Sequence, residues 1–442
     1  MGASPAPAGG HIRGIGWISS VDAGARLQHV VIGSQTESAL GTISRRQFLG
    51  ASAATAGLYG RQAAAAGGEG ETASPRIQRY VTLGGTGLQV SEIGFGSASS
   101  SDRELVRHAL DRGVTFFDTA ESYRLGWAEE ALGEGLEGMR DRVVLSSKTR
   151  AGAGDRQADM MAALEGSLRR LRTDYLDIYF IHAVNAVERM QNEEWWAFTE
   201  RARQQGKIRF RGVSGHGSRL VPCLDYTLDH DLADVILVAY SFAQDPSFYD
   251  QLRHTFHYVG IQPDLPRVLA KAKAKDVGVL AMKTLMGARL NDMRPYEQGG
   301  ATFAQAAFRW VLSDPHVDAL LISMTNARAI DEYVAASAAP EVRGENLHLL
   351  ARYAYLQQAR YCRHGCDACE GACPEGVEIA EVLRTRMYDV DYGDRALASA
   401  DYARLGTDAA ACLSCAHQAC LGSCPYDLPI PSFTRDAATR LG

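Results

Sequence analysis

Polar residues that can move protons or hold charge stand at the ends of successive apolar segments in the middle of the chain. Asp118 ends the second segment, Lys148 the third, His182 the fourth and Ser214 the fifth, and Tyr123 follows shortly after Asp118. A buried Lys or Asp is costly unless it is paired. A tyrosine has a pKa of about 10, and a nearby ammonium lowers that pKa toward useful acid–base work. The pattern predicts a proton-transfer site, with a structural ion pair as the alternative for any single residue.

Eight of the nine cysteines lie after residue 360, in the runs CRHGCDACEGACP and CLSCAHQACLGSCP. Both runs close with C-x3-C-P, as the cysteine motif of bacterial ferredoxins does. The pattern predicts two 4Fe-4S clusters, with four-thiolate zinc sites or disulfides as alternatives. The predicted ligands are Cys362, Cys366, Cys369, Cys373, Cys412, Cys415, Cys420 and Cys424.

The ferredoxin analogy also implies how these ligands are shared. Cys362, Cys366 and Cys369 would bind one cluster with Cys424, and Cys412, Cys415 and Cys420 the other with Cys373. The ninth cysteine, Cys223, is interpreted as a lone buried thiol.

The N-terminal region contains an export-signal pattern. Residues 44–50 read SRRQFLG, and a weakly apolar stretch, Arg61 and the alanines 63–66 follow. This resembles a twin-arginine signal, a route that exports proteins already folded with their clusters inserted. We therefore expect a disordered leader over residues 1–78, the export machinery as a partner and a periplasmic location. The alternative is an amphipathic helix start with two chance arginines.

The elements that must position the polar residues are short strands. A hairpin is predicted over residues 80–90, followed by eight apolar runs that begin at residues 92, 114, 143, 175, 208, 234, 277 and 318 and are separated by helical periodicity. Eight such units predict an α/β fold, a (β/α)8 TIM barrel over 79–340, whose strand ends converge on one face. A doubly wound sheet is the alternative, but GFGSAS lacks its glycine spacing. Residues 341–442 are expected to form a helical linker and a mainly helical, ferredoxin-like iron–sulfur extension.

The charge balance narrows the range of partners. The formal net charge is −6, and the 46 basic and 52 acidic residues are well mixed. Nucleic acid is therefore not an expected partner. No apolar run approaches the ~18 residues that a membrane span needs, so no span is expected in the mature chain.

The strings FFDTAESYRLGWAEEALGEGL, VVLSSK and YLDIYFIH resemble the aldo-keto reductase family, over roughly residues 80–338. The resemblance implies a catalytic tetrad of Asp118, Tyr123, Lys148 and His182. Tyr123 would donate the proton, Asp118 would hold Lys148 in place, and His182 would hydrogen-bond the substrate oxygen.

The resemblance also implies NADP(H) or NAD(H) lying across the barrel mouth. The sequence departs from the family pattern at five places: Ser214-Gly215 replaces Ser-Asn, Leu237 replaces a glutamine, Tyr240-Ser241 replaces Tyr-Asn, Lys283-Thr284 replaces Ser-Pro and Tyr333 replaces Asn. The first two changes remove amide contacts to nicotinamide. The cofactor contacts implied are Ser214, Tyr240, Lys283, Ser323, Arg328 and Glu332.

The sequence thus predicts an oxidoreductase that reduces a small-molecule carbonyl, or oxidises an alcohol, with NAD(P)H. The cysteine clusters predict electron transfer to a redox partner protein. The alternative is an iron–sulfur electron-transfer or binding protein on a barrel scaffold, with little nicotinamide-dependent turnover. Pocket walls are expected from GHGSRL after the fifth strand and from residues 245–259.

Overall fold

The computed structural model describes most of the chain after residue 73. The described residues are 74–100, 102–217, 219–242, 264–285, 293–297, 301–338, 342, 344–357, 362, 366–390 and 395–442. The predicted twin-arginine segment and the expected pocket wall at 245–259 lie outside these ranges. From residue 74 onward the described chain forms one compact unit.

Eight parallel strands form a closed barrel, which confirms the barrel prediction and rules out the doubly wound sheet. Neighbouring strands pair in chain order, and the last strand closes onto the first through Leu320 and Ile93. The strands are β3 (Ile93–Gly96), β4 (Phe116–Asp118), β5 (Val144–Thr149), β6 (Leu176–Ile181), β7 (Ile208–Gly215), β8 (Val235–Ala239), β9 (Gly278–Met282) and β10 (Ala319–Ser323).

Helices connect the strands and surround the barrel. They are α1 (Arg103–Asp111), α2 (Trp127–Gly135), α3 (Gln157–Leu171), α4 (Val187–Met190), α5 (Glu193–Gln204), α6 (Leu220–Asp229), α7 (Leu265–Ala274), α8 (Phe303–Leu312) and α9 (Ala327–Val334). Several begin at capping side chains, as Asp102 accepts a hydrogen bond from the Glu104 amide at the start of α1. None of the described helices combines the length and apolar character that crossing a membrane requires.

The barrel interior is filled by alternate side chains of the strands. Phe116, Ile178, Phe180, Leu237 and Leu280 are fully or almost fully buried in one interior cluster. Alternation sends the other side chains outward, against the helices. The interior is therefore a packed core, and the polar strand ends lie above it.

A hairpin closes the N-terminal end of the barrel. Strands β1 (Tyr80–Thr82) and β2 (Gln89–Ser91) pair antiparallel, as predicted, and Leu83 and Leu88 between them join the interior cluster. At Gly84, where φ is +49°, an added Cβ would lie 2.3 Å from the backbone nitrogen of Gly278. The hairpin therefore approaches the start of β9 as closely as a residue without a side chain permits.

The C-terminal segment is mainly helical. It contains α10 (Gly344–Gln357), α11 (Ile379–Val390), α12 (Arg395–Tyr402) and α13 (Ile430–Leu441), and α11 packs against both α12 and α13. The mainly helical character expected for residues 341–442 is thus present among the described residues of this segment. The domain boundaries and the iron–sulfur character of this segment stay predictions.

Gly212 on β7 gives the first testable prediction. An added Cβ would lie 2.3 Å from the Phe180 ring in the barrel interior. We expect Gly212→Ala to lower the free energy of unfolding by about 3 kcal/mol, because a well-packed interior cannot take extra volume. Urea unfolding measures this effect.

The matched control is Gly154→Ala, since an added Cβ there meets no atom within 4 Å. We expect this exposed variant to stay within about 1 kcal/mol of the wild type. Equal stability of the two variants would contradict the packing of Phe180 against Gly212.

Candidate active site

A buried ion pair lies at the base of the barrel mouth. Lys148 at the end of β5 donates to Asp118 Oδ2 (2.5 Å) and to the carbonyl of Thr119 (2.6 Å). Ser146 donates to the other carboxylate oxygen of Asp118 (2.7 Å). Burial lowers the pKa of the Lys148 ammonium and raises that of the Asp118 carboxyl, while the attraction between the two groups acts in the opposite direction. The charge of Lys148 therefore depends on Asp118.

Tyr123 stands beside this ion pair, in the turn after β4. The Lys148 Nζ lies 4.9 Å from the centre of the Tyr123 ring, and the His182 ring meets that ring edge-on with centroids 5.5 Å apart. The next two residues, Arg124 and Leu125, both have positive φ. Such strained backbone persists only where surrounding contacts fix it, which is common at functional sites.

His182 follows β6 and is buried, with 6% of its surface exposed. Burial lowers its pKa well below 6.5, and the cations Arg150, Lys148, Arg189 and Lys283 lower it further. The ring is therefore neutral at neutral pH and has one N–H to donate. Its Nδ1 lies 3.5 Å from Ser122 Oγ.

Arg189, at the third position of α4, holds the backbone around His182. Its guanidinium donates to the carbonyls of Ala151 (2.7 Å), Ala183 (2.8 Å) and His182 (2.8 Å). These contacts join the loops after β5 and β6. The sequence contains no signal for this role, because the three acceptors are backbone carbonyls.

The four residues of the predicted tetrad surround one site, and three of them line a cavity of about 310 Å³ at the C-terminal end of the barrel. This volume is at the lower end of the range for small-molecule sites, ~300–1,000 Å³. The lining also includes His216 and Arg150, and two residues of the C-terminal segment, Tyr388 and Leu397. His216 belongs to GHGSRL, which was expected to form a pocket wall, whereas no sequence pattern indicated Arg150, Tyr388 or Leu397. Catalytic roles for the tetrad stay predictions.

The predicted cofactor contacts divide into two groups. Lys283 and Ser323 line the cavity, as do Asn326 and Tyr333 near the start and end of α9. Tyr240 instead packs its ring on Trp310, with centroids 5.5 Å apart, and donates its hydroxyl to Asp314 (2.6 Å). This arrangement directs Tyr240 toward helix α8.

The remaining three predicted cofactor contacts occupy different environments. Ser214 is fully buried at the end of β7, and its hydroxyl has no hydrogen-bond partner among the described residues. It pairs in register with Leu237, which lines the cavity, so both side chains face the barrel interior. Arg328 is exposed, and Glu332 is half-buried with its carbonyl bonded to Gln305.

The two cysteine runs form a structural repeat. In the first, the Ala372 amide donates to the Cys369 carbonyl and the Gly376 amide to the Cys373 carbonyl; the second repeats this with Ser423 to Cys420 and Asp427 to Cys424. Gly371 and Gly422 adopt matching left-handed conformations, with φ of +79° and +82°. Each run then leads into a helix, α11 or α13, so residues 369–379 and 420–430 share one backbone path.

Charge interactions divide the cysteines into two groups. Burial, with smaller effects from Glu370 and from the neighbouring Cys366 and Cys424, raises the pKa of the Cys369 thiol to about 12. Burial also raises the pKa of Cys420, with smaller effects from Cys412, Cys373 and Cys415. The closing cysteine of each run therefore lies near the opposite run, as the ferredoxin analogy implies.

No disulfide joins the nine cysteines, all of which lie among the described residues, so the disulfide alternative does not describe this structure. Within the described ranges, no three His, Cys, Asp or Glu side chains are arranged around a single metal ion. Cys223 is buried, and burial raises its pKa to about 11. Metal ligation by the eight clustered cysteines stays a prediction.

Comparison with known proteins finds a similarity over the barrel. Residues 83–296, just under half of the chain, match the model of the Aldo/keto reductase family. This stretch of the chain is therefore similar to aldo/keto reductases.

Individual relatives show this similarity over different lengths. The aldo-keto reductase YhdN of Bacillus subtilis is 33% identical over 30% of this chain and 46% of its own length, and the methylglyoxal reductase YeaE of Escherichia coli is 44% identical over 25% and 37%. The chain thus spans less than half of these two relatives. An L-glyceraldehyde 3-phosphate reductase of Escherichia coli is 26% identical over 58% of this chain and 87% of its own length.

Among solved structures, an aldo/keto reductase from Klebsiella pneumoniae in complex with NADP and acetate is 29% identical. It matches 63% of this chain and 95% of its own, with a TM-score of 0.48.

The buried, neutral His182 predicts a pH dependence of stability. Its pKa is lower in the folded state than the unfolded value of about 6.5, so the unfolded state binds the extra proton as the pH falls. Stability from this group is present above pH 6.5 and is lost below it. We expect His182→Asn to reduce the stability difference between pH ~7.5 and pH ~5.5 by about 1.4 kcal/mol.

Urea unfolding at both pH values measures this contribution. The free energy of unfolding of the variant at the higher pH is the control. It measures the effect of the substitution when the histidine of the wild type is neutral in both the folded and the unfolded state. An unchanged pH dependence would show that His182 is not held neutral.

Proposed function

We propose that this protein reduces small carbonyl compounds to alcohols, or runs the reverse oxidation, with NAD(P)H. The observation that carries the proposal is the grouping of Lys148, Asp118, Tyr123 and His182 at the cavity. Carbonyl reduction needs a proton for the developing alkoxide and a donor that orients the carbonyl oxygen. Side chains of this group can supply both the proton and the orienting hydrogen bond.

In the proposed reaction Tyr123 gives the proton to the carbonyl oxygen. The Lys148 ammonium, beside the ring, stabilises the tyrosinate that remains. Neutral His182 donates its N–H to the same oxygen and orients the carbonyl. Asp118 holds Lys148 in position, so it acts as a positioning residue.

NAD(P)H would supply the hydride to the carbonyl carbon. The residues present fit a nicotinamide cofactor in part: Lys283 offers a cation at the cavity lining, and Ser214 offers a buried hydroxyl on the same side of the sheet as Leu237, which lines the cavity. Burial lowers the pKa of Lys283 to about 7, so its charge changes near neutral pH. Ser323, Arg328 and Glu332 would hold the remainder of the cofactor, whereas Tyr240 is directed elsewhere.

Tyr123→Phe tests the proposed proton donor. We expect kcat for aldehyde reduction to fall at least ~100-fold, because the phenol is lost while the ring stays. The affinity for NADPH, measured by fluorescence titration, is expected to remain within about threefold, since the hydroxyl acts only on the substrate.

Tyr226→Phe is the matched control, because Tyr226 on α6 stacks on His230 outside the cavity. We expect it to retain full activity. Full activity of the Tyr123 variant would remove Tyr123 as the proton donor, and failure of the wild type to bind NADPH at millimolar concentration would remove nicotinamide-dependent turnover.

We further propose that the eight C-terminal cysteines hold two 4Fe-4S clusters. The support is the repeated backbone path of the two runs and the neighbouring placement of Cys369 with Cys424 and of Cys420 with Cys373. Such clusters would supply one-electron transfer, which is the basis for a redox partner protein. The repeat also favours the second candidate function, an electron-transfer protein with little nicotinamide-dependent turnover.

Cys424→Ser tests the cluster proposal. We expect the anaerobically purified variant to lose about half of its iron and acid-labile sulfide, because one of two clusters loses a ligand. Elemental analysis and visible absorbance measure the loss. Cys223→Ala is the control and should keep the full content, as Cys223 is far from both runs in sequence and is buried alone.

Equal iron in the Cys424 variant and the wild type would argue against this ligand. Stoichiometric zinc in place of iron would replace the cluster proposal with the four-thiolate alternative.

Export by the twin-arginine route and a periplasmic location are also proposals. They are supported by the pattern SRRQFLG at residues 44–50. Cell fractionation of the wild type and of a variant with both Arg45 and Arg46 replaced by Lys tests them.

A further inference from the structure

We infer that the C-terminal segment forms one wall of the catalytic cavity, where Tyr388 and Leu397 limit the size of the carbonyl substrate. This inference rests on the proposed function and names its substrate class, small aldehydes and ketones. Tyr388 lies on α11 and Leu397 on α12, and both line the cavity with Tyr123 and His182. The barrel alone therefore does not complete the site.

Tyr388 is fixed against two loops of the barrel mouth. Its hydroxyl is hydrogen-bonded to His216 Nε2 (2.8 Å), two residues after Ser214. Lys283, which follows β9, places its ammonium 4.5 Å from the centre of the Tyr388 ring. The ring is 6% exposed. Helix α11 therefore contacts the ends of β7 and β9.

A second set of contacts joins α11 to the loop after β6. Asn185, three residues after His182, donates to Glu381 (3.1 Å). Glu381 accepts from Arg384 (2.6 Å), and Arg384 in turn donates to the Tyr388 hydroxyl (3.2 Å). Glu381 and Tyr388 are both less than one-tenth exposed, so the chain of contacts is largely shielded from water.

Helix α12 is attached on the side of Lys148. Asp401 forms an ion pair with Arg150, two residues after Lys148. Arg384 lies 3.7 Å from the same carboxylate, which links the two helices. Helix α12 also packs on the turn Tyr123–Gly126, which carries the proposed proton donor. The wall is thus joined to loops after β4, β5, β6, β7 and β9.

The wall is held in place by buried ion pairs and hydrogen bonds, which indicates that it is fixed. Breaking a buried charge pair by removing one partner is strongly unfavourable, since the remaining charge stays buried. The wall therefore bounds one side of a cavity whose volume is about 310 Å³. Leu397 and the Tyr388 ring close this side with apolar surface, which favours compact carbonyl compounds over bulky ones.

Two substitutions of Leu397 test the wall in opposite directions. Leu397→Ala enlarges the cavity and Leu397→Phe reduces it. We expect the affinity for 2-naphthalenemethanol relative to benzyl alcohol to rise about tenfold in the first and to fall about tenfold in the second. Calorimetry on the full chain without cofactor measures the affinities, so no turnover is required. A general structural defect would instead shift this relative affinity in the same direction in both variants.

Tyr388 is tested by a conservative pair. Tyr388→Phe keeps the ring and is expected to keep the wild-type selectivity, whereas Tyr388→Ala should admit the larger alcohol. Leu383→Ala is the matched control, because Leu383 is buried on α11 but does not line the cavity. It should leave the selectivity unchanged.

Turnover distinguishes this inference from the proposed function. With benzaldehyde and 2-naphthaldehyde, kcat/KM should follow the same order as the alcohol affinities. The wild type could fail to reduce either aldehyde with NADPH or NADH while the variants still show the expected shifts in alcohol affinity. This result would contradict the proposed reaction but would still support the inference that Tyr388 and Leu397 form a wall of the cavity. Wild-type selectivity in both Leu397 variants and in Tyr388→Ala would overturn the inference. It would also be overturned if the wild type bound neither alcohol at about 10 mM, a concentration above the Kd of a typical specific site.

Discussion

The contact between Lys148 and Asp118 is the constraint on which the site depends. Both charges lie inside the closed barrel, where either one alone would be strongly unfavourable. Their pairing requires β4 and β5 to be adjacent, parallel and in the observed register, which aligns Asp118 with Ser146. Tyr123 and His182 are then positioned around a cation whose location is fixed by the strands. Catalytic geometry and barrel closure are therefore parts of one arrangement.

Much of the barrel was predictable because its signals are local. Eight apolar runs, separated by helical periodicity, gave the strands, and the polar residues at their ends converge as the topology requires. The placement of Lys148, Asp118 and His182 followed from the same logic, whereas Tyr123 was indicated by the resemblance to the aldo-keto reductase family. No long-range information was needed for this part.

The residues that the sequence did not reveal act through distant partners. Tyr388 lies 172 positions from its hydrogen-bond partner His216, and no motif in the sequence connects the two. Arg189 bonds only backbone carbonyls around His182, which carry no signature of residue type. Tyr240 is directed outward by Trp310 and Asp314, a pairing set by the packing of α8 on the barrel.

The wall lies far downstream of the proposed acid–base residues in the chain, so the parts of the site are synthesised at different times. The catalytic side chains come from residues 118–182, whereas Tyr388 and Leu397 are synthesised more than two hundred residues later. The last barrel strand, β10, ends at Ser323, so all eight strands are synthesised before the wall. A fragment that stops before α11 would keep the proposed acid–base residues and lose the proposed boundary that selects among substrates. Under the proposed function, the selective boundary is thus the last part of the site to be synthesised.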